Sequence, residues 1–506
     1  MLQYSTHPLI DVGVATITAF ANKENPADLT EADLRTIADF MAREYPKSPY
    51  KSFLSIAFTG NAWFVQDAYN PDNKPNLTEE KRQELLQTRN KWGNHHLDQW
   101  ERDAKRNPLE RDVFTGAPAV AVELSGKLLP GRAGRAQVPL LSGDESINFY
   151  ANGSPGLAVS GETMLCLQAL PLGCAKCGGK LLLVHSDNTE IMLHYAREFL
   201  RVNRRDAQLA QEAGSKEMPG REYSQRTLLL TTLLSAKRLQ RDAQEEGSHF
   251  SVTAYHLSND GRKPGLNIYH LPFQAINFLR DMAKAEYSQQ WNAIVARAWE
   301  RELNKKKKKA SDKPFQPKRN WLYEDLFDLD QIDKAKQFVR TYFLRVALRR
   351  VRDEFGPRGD YAMKSEVELL SWKITALFVR RILNMEPTRI EQIRNFADQL
   401  ADYVNAQNDR RFFREFYTTQ RYDYLRAALI KANVAHVKRG NAPFVTFDPY
   451  LEVFEVGDEV ERTDWKFARD LVLIRMVEQL YTLGWLGKNP DALPDPEPTE
   501  TESTES

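Results

Sequence analysis

Hydrophobic and polar positions alternate in two different ways along this chain. From about Met363 onward apolar residues recur at three- and four-residue spacing with almost no glycine. Val367, Leu370, Ile374, Leu377, Phe378 and Ile382 form one such set, and Ile390, Ile393, Phe396, Leu400 and Val404 the next. Phe412, Phe416, Leu425, Leu429 and Ile430 continue the pattern, and Leu471, Ile474, Val477 and Leu480 close it. One apolar stripe per helix, repeated across short turns, predicts a helical bundle. Phe338, Tyr342, Leu344, Ala347 and Leu348 predict a helix leading into it.

Upstream the periods are mixed. The first segment opens as a short strand or an apolar helix, followed by an amphipathic helix with Thr30 as N-cap and Asp33 near N3. Residues 53–58 read as a strand ended by Thr59-Gly60-Asn61, and Thr78 caps a charged helix running to about Lys105. Between 111 and 161 glycine and proline recur too often for a long helix. Residues 162–169 predict a short buried helix, 180–185 a buried strand, and Ser186-Asp187-Asn188 a cap for the helix carrying Leu193, Ala196, Phe199 and Leu200. Residues 201–222 read as a polar, mobile stretch and 223–243 as a helix. Residues 250–256 and 265–271 alternate on either side of Ser258-Asn259-Asp260-Gly261, a β-hairpin signal. A helix from Phe273 to about Leu303 precedes a lysine run, 305–309, and a linker to Arg319.

The fold class expected is therefore α+β. A mixed domain over 1–320 is followed by a helical connector over 321–362, a helical bundle over 363–488 and a disordered acidic tail over 489–506. At 506 residues the chain is long enough for several cores. Its net charge of +1 hides an asymmetry: the last eighteen residues carry six acids and no base, and setting them aside leaves +7. So mild an excess means that nucleic-acid binding must use local basic stripes. Only three cysteines occur, clustered together, which excludes a disulfide framework and fits a reducing cytoplasm. No uncharged apolar run of eighteen residues occurs, so no membrane association is expected.

Candidate chemistry is sparse. Cys174 and Cys177 have the CxxC spacing that lets two thiolates reach one Zn²⁺, and Cys166 or His185 could complete a site. Structural zinc normally takes two such pairs, so no cofactor is expected. His95, His96 and Asp98 are the one local cluster from which a metal-dependent nuclease could be built, and Walker A, zincin and GxSxG motifs are absent. The chain is expected not to be an enzyme. For nucleic acid the signals are better. Lys127, Arg132 and Arg135 are spaced by glycine and proline in a loop that can lie close to a groove. Arg345, Arg349, Arg350 and Arg352, then Lys373, Arg380 and Arg381, then Arg410, Arg411, Arg414, Arg421 and Arg426 repeat along the helices. Aromatic residues are interleaved with them, and Tyr417 and Tyr422 are the ones expected at the surface. This composition suits a backbone track for a single strand.

The opening HPLIDVGVATITAFANKENPADLTEADL, the FTGAPAV segment and the run GETMLCLQALPLGCAKCGGKLLLVHS, in that order, resemble the large subunit of type I-B CRISPR Cascade complexes. The branch is the one whose members often carry paired CxxC motifs, and the first of the expected pairs is missing here. The resemblance covers the N-terminal two-fifths by motif and the rest by layout. It implies a non-catalytic cytoplasmic subunit that reads a protospacer-adjacent motif in duplex DNA, assists unwinding and R-loop formation, and stabilises the displaced strand. Lys127, Arg132, Arg135 and Asn148, with Asn61, become the DNA-contacting loop residues. Implied partners are CRISPR RNA, target duplex DNA and the backbone, 5′-handle-binding and small subunits, together with a helicase-nuclease for interference or Tn7-like proteins for guided transposition. The bundle is similar to the Cascade small subunit, which relatives also make separately from an internal start; Met363 is the candidate here. An RNA-binding scaffold outside CRISPR systems is the other reading of the same basic stripes.

Overall fold

The computed structural model describes residues 2–66, 68, 70, 71, 74, 76–141, 155–236, 250–259, 264–301, 315–346, 361–455 and 464–493. The protein is α+β, and its residues cluster into two compact units that meet in sequence at Leu271 and Pro272, well before the expected boundary at 320.

In the first unit the organising element is α1 (Pro8–Phe20). Proline at its start supplies a preset φ. Leu9, Ile10, Val12, Val14, Ala15 and Ile17 are all buried, so the helix is apolar all round and lies inside the core. Helix α2 (Glu31–Glu44) begins with the expected capping box, Thr30 accepting from the Asp33 amide while Asp33 accepts from that of Thr30. Residues 53–58 are not a strand: α3 (Tyr50–Leu54) turns there and buries Phe53, Leu54 and Phe58. Helix α4 (Glu79–Leu97) starts at the Thr78 cap and ends before Lys105.

Strands β1 (Arg106–Arg111) and β2 (Pro118–Val120) pair antiparallel, as do β3 (Arg132–Ala133) and β4 (Leu157–Ala158). Helix α5 (Gly161–Ala169) packs across α1 so closely that a Cβ on Gly13 would sit 2.4 Å from the Cys166 carbonyl oxygen. A four-stranded antiparallel sheet follows in the order β5 (Ala175–Cys177), β6 (Lys180–His185), β7 (Val252–Asn259), β8 (Pro264–Leu271). The last two strands are the predicted hairpin. Helix α6 (Thr189–Glu212) is capped by Asn188 and runs as far as Glu212 into the 201–222 stretch expected to be mobile, because Asn203, Asp206, Ala207 and Ala210 carry its buried face onward. Helix α7 (Gln225–Leu234) completes the unit. Under the sheet, buried Asp11 accepts from the Ser5 amide at 2.6 Å and faces His185 Nε2 at 3.2 Å.

The second unit is helical. The helix expected from 273 to 303 is two, α8 (Phe273–Met282) and α9 (Ala285–Arg297), with Ala283 and Lys284 between them. Helices α10 (Trp321–Asp325) and α11 (Ile332–Phe338) come next, the latter widening into a π-helical turn at Val339–Phe343. Then follow α12 (Trp372–Ile382), α13 (Pro387–Gln407), α14 (Arg410–Thr418), α15 (Tyr422–Lys438), α16 (Phe447–Phe454), α17 (Trp465–Thr482) and α18 (Trp485–Lys488). Phe378 of α12 lies at the centre of a ring cluster, 5.2 Å from Phe278, 5.0 Å from Phe338 and 5.2 Å from Phe343 between centroids. Helices α13 and α17 pack along their length, clamped at the rim by Arg475 on both carboxylate oxygens of Asp398, at 2.6 and 3.1 Å.

Candidate nucleic-acid interface

The predicted DNA-contacting loop descends from β2 and enters β3. Its path is fixed by hydrogen bonds to backbone carbonyls: the Gly131 backbone amide donates to the Val122 carbonyl at 2.8 Å, and the Gln137 side-chain amide to the Leu124 carbonyl at 2.9 Å. Gly131 has φ +85°, and a Cβ there would meet the Val120 carbonyl oxygen at 2.3 Å, so glycine is required by both backbone and space. Lys127 stands exposed near the tip beside exposed Leu129.

Arg132 is different. It is only 8 % exposed, donating to Glu110 from Nε at 3.2 Å and Nη2 at 2.8 Å and to the Gly156 carbonyl at 3.1 Å. Its guanidinium is committed to holding the β1 and β3 segments together, where the sequence suggested a groove contact. Arg135 is half-buried and its carbonyl takes a bond from Asn259. Asn61 is exposed in a turn away from these strands in sequence, and Asn148 lies outside the described residues. Of the five, Lys127 and Asn61 present open side chains and Arg135 a partly open one.

In the helical unit the arginine stripes separate into surface and core. Arg380, Arg410, Arg411, Arg414, Arg421 and Arg426 are exposed. Arg411 pairs with Glu415 at 2.8 Å, Arg414 reaches the Asp491 carbonyl, and Arg421 pairs with Asp423 at 2.6 Å while lying over Tyr424. Arg381 is held by Asp281 at 3.0 Å. The exposed pairs of Arg411 and Arg421 are of the weak surface kind, whereas the Asp281 that holds Arg381 is buried. Arg345, by contrast, is a core residue: with Arg297 it encloses Glu366, and it lies 4.4 Å from the Tyr361 ring. Burial pulls its pKa down to about 10. Arg349, Arg350 and Arg352 lie outside the described residues. Tyr417 and Tyr422 are half-buried, Tyr422 bonding Tyr450 and Glu455, whereas Tyr424 is exposed.

The other candidates do not converge. The Cys174 thiol donates to the Leu170 carbonyl and that of Cys177 to the Tyr223 carbonyl, and all three cysteines are buried. Burial raises the pKa of Cys166 and Cys174, which favours the thiol over the thiolate a metal needs. Among the described residues no three His, Cys, Asp or Glu side chains come together as candidate metal ligands. His95 Nδ1 faces the Glu123 carbonyl, His96 is buried with Nδ1 against the Trp92 carbonyl at 2.6 Å, and Asp98 is paired with Arg35 at 3.0 Å.

One basic feature escaped the sequence reading. Arg197, Arg201, Arg204 and Arg205 share a face of α6, and the last three line an open cleft with Phe40, Tyr50 and Gln208. Arg204 is stacked over Phe20 at 5.2 Å and Phe40 at 5.8 Å. The three- and four-residue spacing of these arginines was a signal, hidden because the segment was read as irregular. No helix among the described residues is long and apolar enough to cross a membrane. Set against protein-family models, curated proteins and solved structures, the chain matches none.

Proposed function

We propose that this chain is the non-catalytic large subunit of a type I-B CRISPR Cascade complex, which reads a protospacer-adjacent motif in duplex DNA, assists R-loop formation and stabilises the displaced strand. In such complexes guide pairing supplies the long specificity and the protein reads a short duplex motif. The observation that carries the reading is the convergence of the three segments behind the resemblance. His7, before α1, meets Phe114 of the FTGAPAV segment edge to face at 4.8 Å. Asp112, just ahead of that segment, accepts from the Ser160 amide at 2.6 Å, at the cap of α5, and α5 in turn crosses α1 at Gly13. Three sequence motifs far apart in the chain thus form one packed block, as expected if they are the signature of one fold.

Lys127, Arg135 and Asn61 are the motif-contacting candidates, and the exposed arginines of α12, α14 and α15 the track for the displaced strand. CRISPR RNA and the other Cascade subunits are the partners, and the same reading serves interference or guided transposition.

The test assembles the chain with its neighbouring subunits and a guide RNA, and selects target duplexes carrying a randomised flank. Enrichment of one flank, lost in Lys127→Ala with Arg135→Ala, supports motif reading by this loop. Enrichment that survives those changes moves the site elsewhere, and no enrichment overturns the reading.

A further inference from the structure

Strand β8 is last in the order of its sheet, and among the described residues no strand lies beyond it. Its outer edge therefore carries backbone groups that β7 does not use. The hairpin shows which groups these are. Asn259 lies opposite Pro264, yet the Asn259 amide donates to the Ile56 carbonyl at 2.7 Å, and proline has no amide to return. That pair is thus of the non-hydrogen-bonded kind, and the unbroken register repeats it at every second residue. Thr253 and His270 form a pair of the same kind, and their Oγ1 and Nδ1 atoms stand 3.0 Å apart, as expected where side chains approach most closely. Leu266, Ile268 and His270 accordingly turn their N–H and C=O groups outward, and Pro264 its carbonyl alone.

This edge lacks the usual protection. Edge strands are commonly guarded by charged side chains, but residues 264–271 read PGLNIYHL, with no lysine, arginine or carboxylate. Leu266 is 44 % exposed and Ile268 57 %, and they lie opposite Leu257 and Tyr255. Leu257 belongs to the core, as do Leu181 and Leu183 of β6, so one face of the sheet stays apolar out to its rim. What fits such a rim is an extended strand, which supplies carbonyls and amides at the matching spacing and apolar side chains at alternate positions.

The same strand of a second copy meets both requirements. Because outward groups recur at every second residue, a twofold axis between two antiparallel copies must pass through a residue. Through Asn267 it sets Leu266 against Ile268 on either side, each pair exchanging both backbone bonds, while the His270 amide meets the Pro264 carbonyl at each end. Exposed Asn267 faces its own counterpart, and two carboxamides can bond each other. An axis through Leu266 would instead put Ile268 against Pro264, which has no amide to give, and one through Ile268 would put Leu266 against His270. The Asn267 register alone of these pairs the two exposed aliphatics, and such self-complementarity is what an isologous contact requires.

We infer that the free edge of β8 is a self-pairing surface, on which β8 of a second copy of this chain adds antiparallel across a twofold axis at Asn267. The inference is independent of the guide-RNA reading. One pair of strands makes a small interface, so the pairing is weak by itself.

The experiment is sedimentation of the full chain from about 1 to 100 μM, the range of weak contacts. A concentration-dependent dimer is expected, converted to monomer by Leu266→Lys with Ile268→Lys, with the unfolding midpoint little changed because both side chains are exposed. Register is read without those changes by disulfide trapping with diamide, since the native cysteines are buried. Asn267→Cys should cross-link to itself, its two copies standing about 4.5 Å apart between Cα atoms. Leu266→Cys should not, because its copies are offset by about 7 Å along the strands, beyond disulfide reach, yet a mixture of Leu266→Cys and Ile268→Cys chains should. A chain that stays monomeric at the highest concentration, a dimer that survives the lysines, or self-linking of Leu266→Cys in place of Asn267→Cys would each overturn the inference.

Discussion

Acidification should loosen the first unit through one imidazole. His96 is buried in α4, its Nδ1 against the Trp92 carbonyl, and burial pulls its pKa from 6.5 down to about 4. The folded state therefore refuses a proton that the unfolded chain accepts. The stability held by the neutral ring is complete above pH 6.5 and is lost as pH falls toward and through 4. At pH 4.5 the unfolded histidine lies two units below its pKa while the folded one is still mostly neutral, which amounts to about 2 kcal/mol lost relative to pH 7. Burial also lowers the pKa of His7 and His256, so the total acid sensitivity is not the measure. The informative comparison is with His96→Gln, whose amide can still donate to the Trp92 carbonyl but does not titrate. Urea unfolding at pH 7 and 4.5, with hydrogen exchange of α4 peptides to localise the change, should show the native chain losing about 2 kcal/mol more than the variant. Equal losses would show that His96 accepts its proton without opening the helix, and the burial argument would fail.

Three further outcomes are expected. Glu366→Gln leaves Arg345 and Arg297 buried together without their carboxylate and should cost the helical unit about 3 to 5 kcal/mol in denaturant unfolding; a loss below about 1 kcal/mol would mean that water reaches the triad. Gly131→Ala must put a Cβ into the Val120 carbonyl at positive φ, so the melting temperature should fall by an amount equivalent to about 1 to 3 kcal/mol, and an unchanged value would contradict the loop path. If translation also starts internally at Met363, Met363→Leu abolishes the short product on expression; a short protein that persists refutes that start.

Local signals carried much of the fold. Thr30 with Asp33, Thr78 and Asn188 each mark a helix start because a side-chain oxygen answering an orphan amide needs only its neighbours in sequence. The β7–β8 hairpin was legible for the same reason. Residues 53–58 were not, since six mostly apolar positions have no period that separates a buried strand from a buried helical turn. Nor was the extent of α6, whose buried face is polar at Asn203 and Asp206 and makes sense only once Asn203 is seen bonding the Leu172 and Cys174 carbonyls. The site residues divide likewise. Exposed Lys127 and the arginines of α14 could be read from spacing, but the partners that withdraw Arg132 and Arg345 from the surface, Glu110 and Glu366, lie more than twenty residues away.

The ring cluster around Phe378 bears on any polypeptide that begins at Met363. Such a product keeps Phe378 but lacks Phe278, Phe338 and Phe343, the three rings that cover it in the full chain. The same helix α12 would then be interior in one protein and in need of a lid in the other. Two products of one reading frame would differ by a whole adhesive face as well as by length, so the shorter would have to borrow its missing aromatic cover from a neighbour or rebuild α12 around its absence.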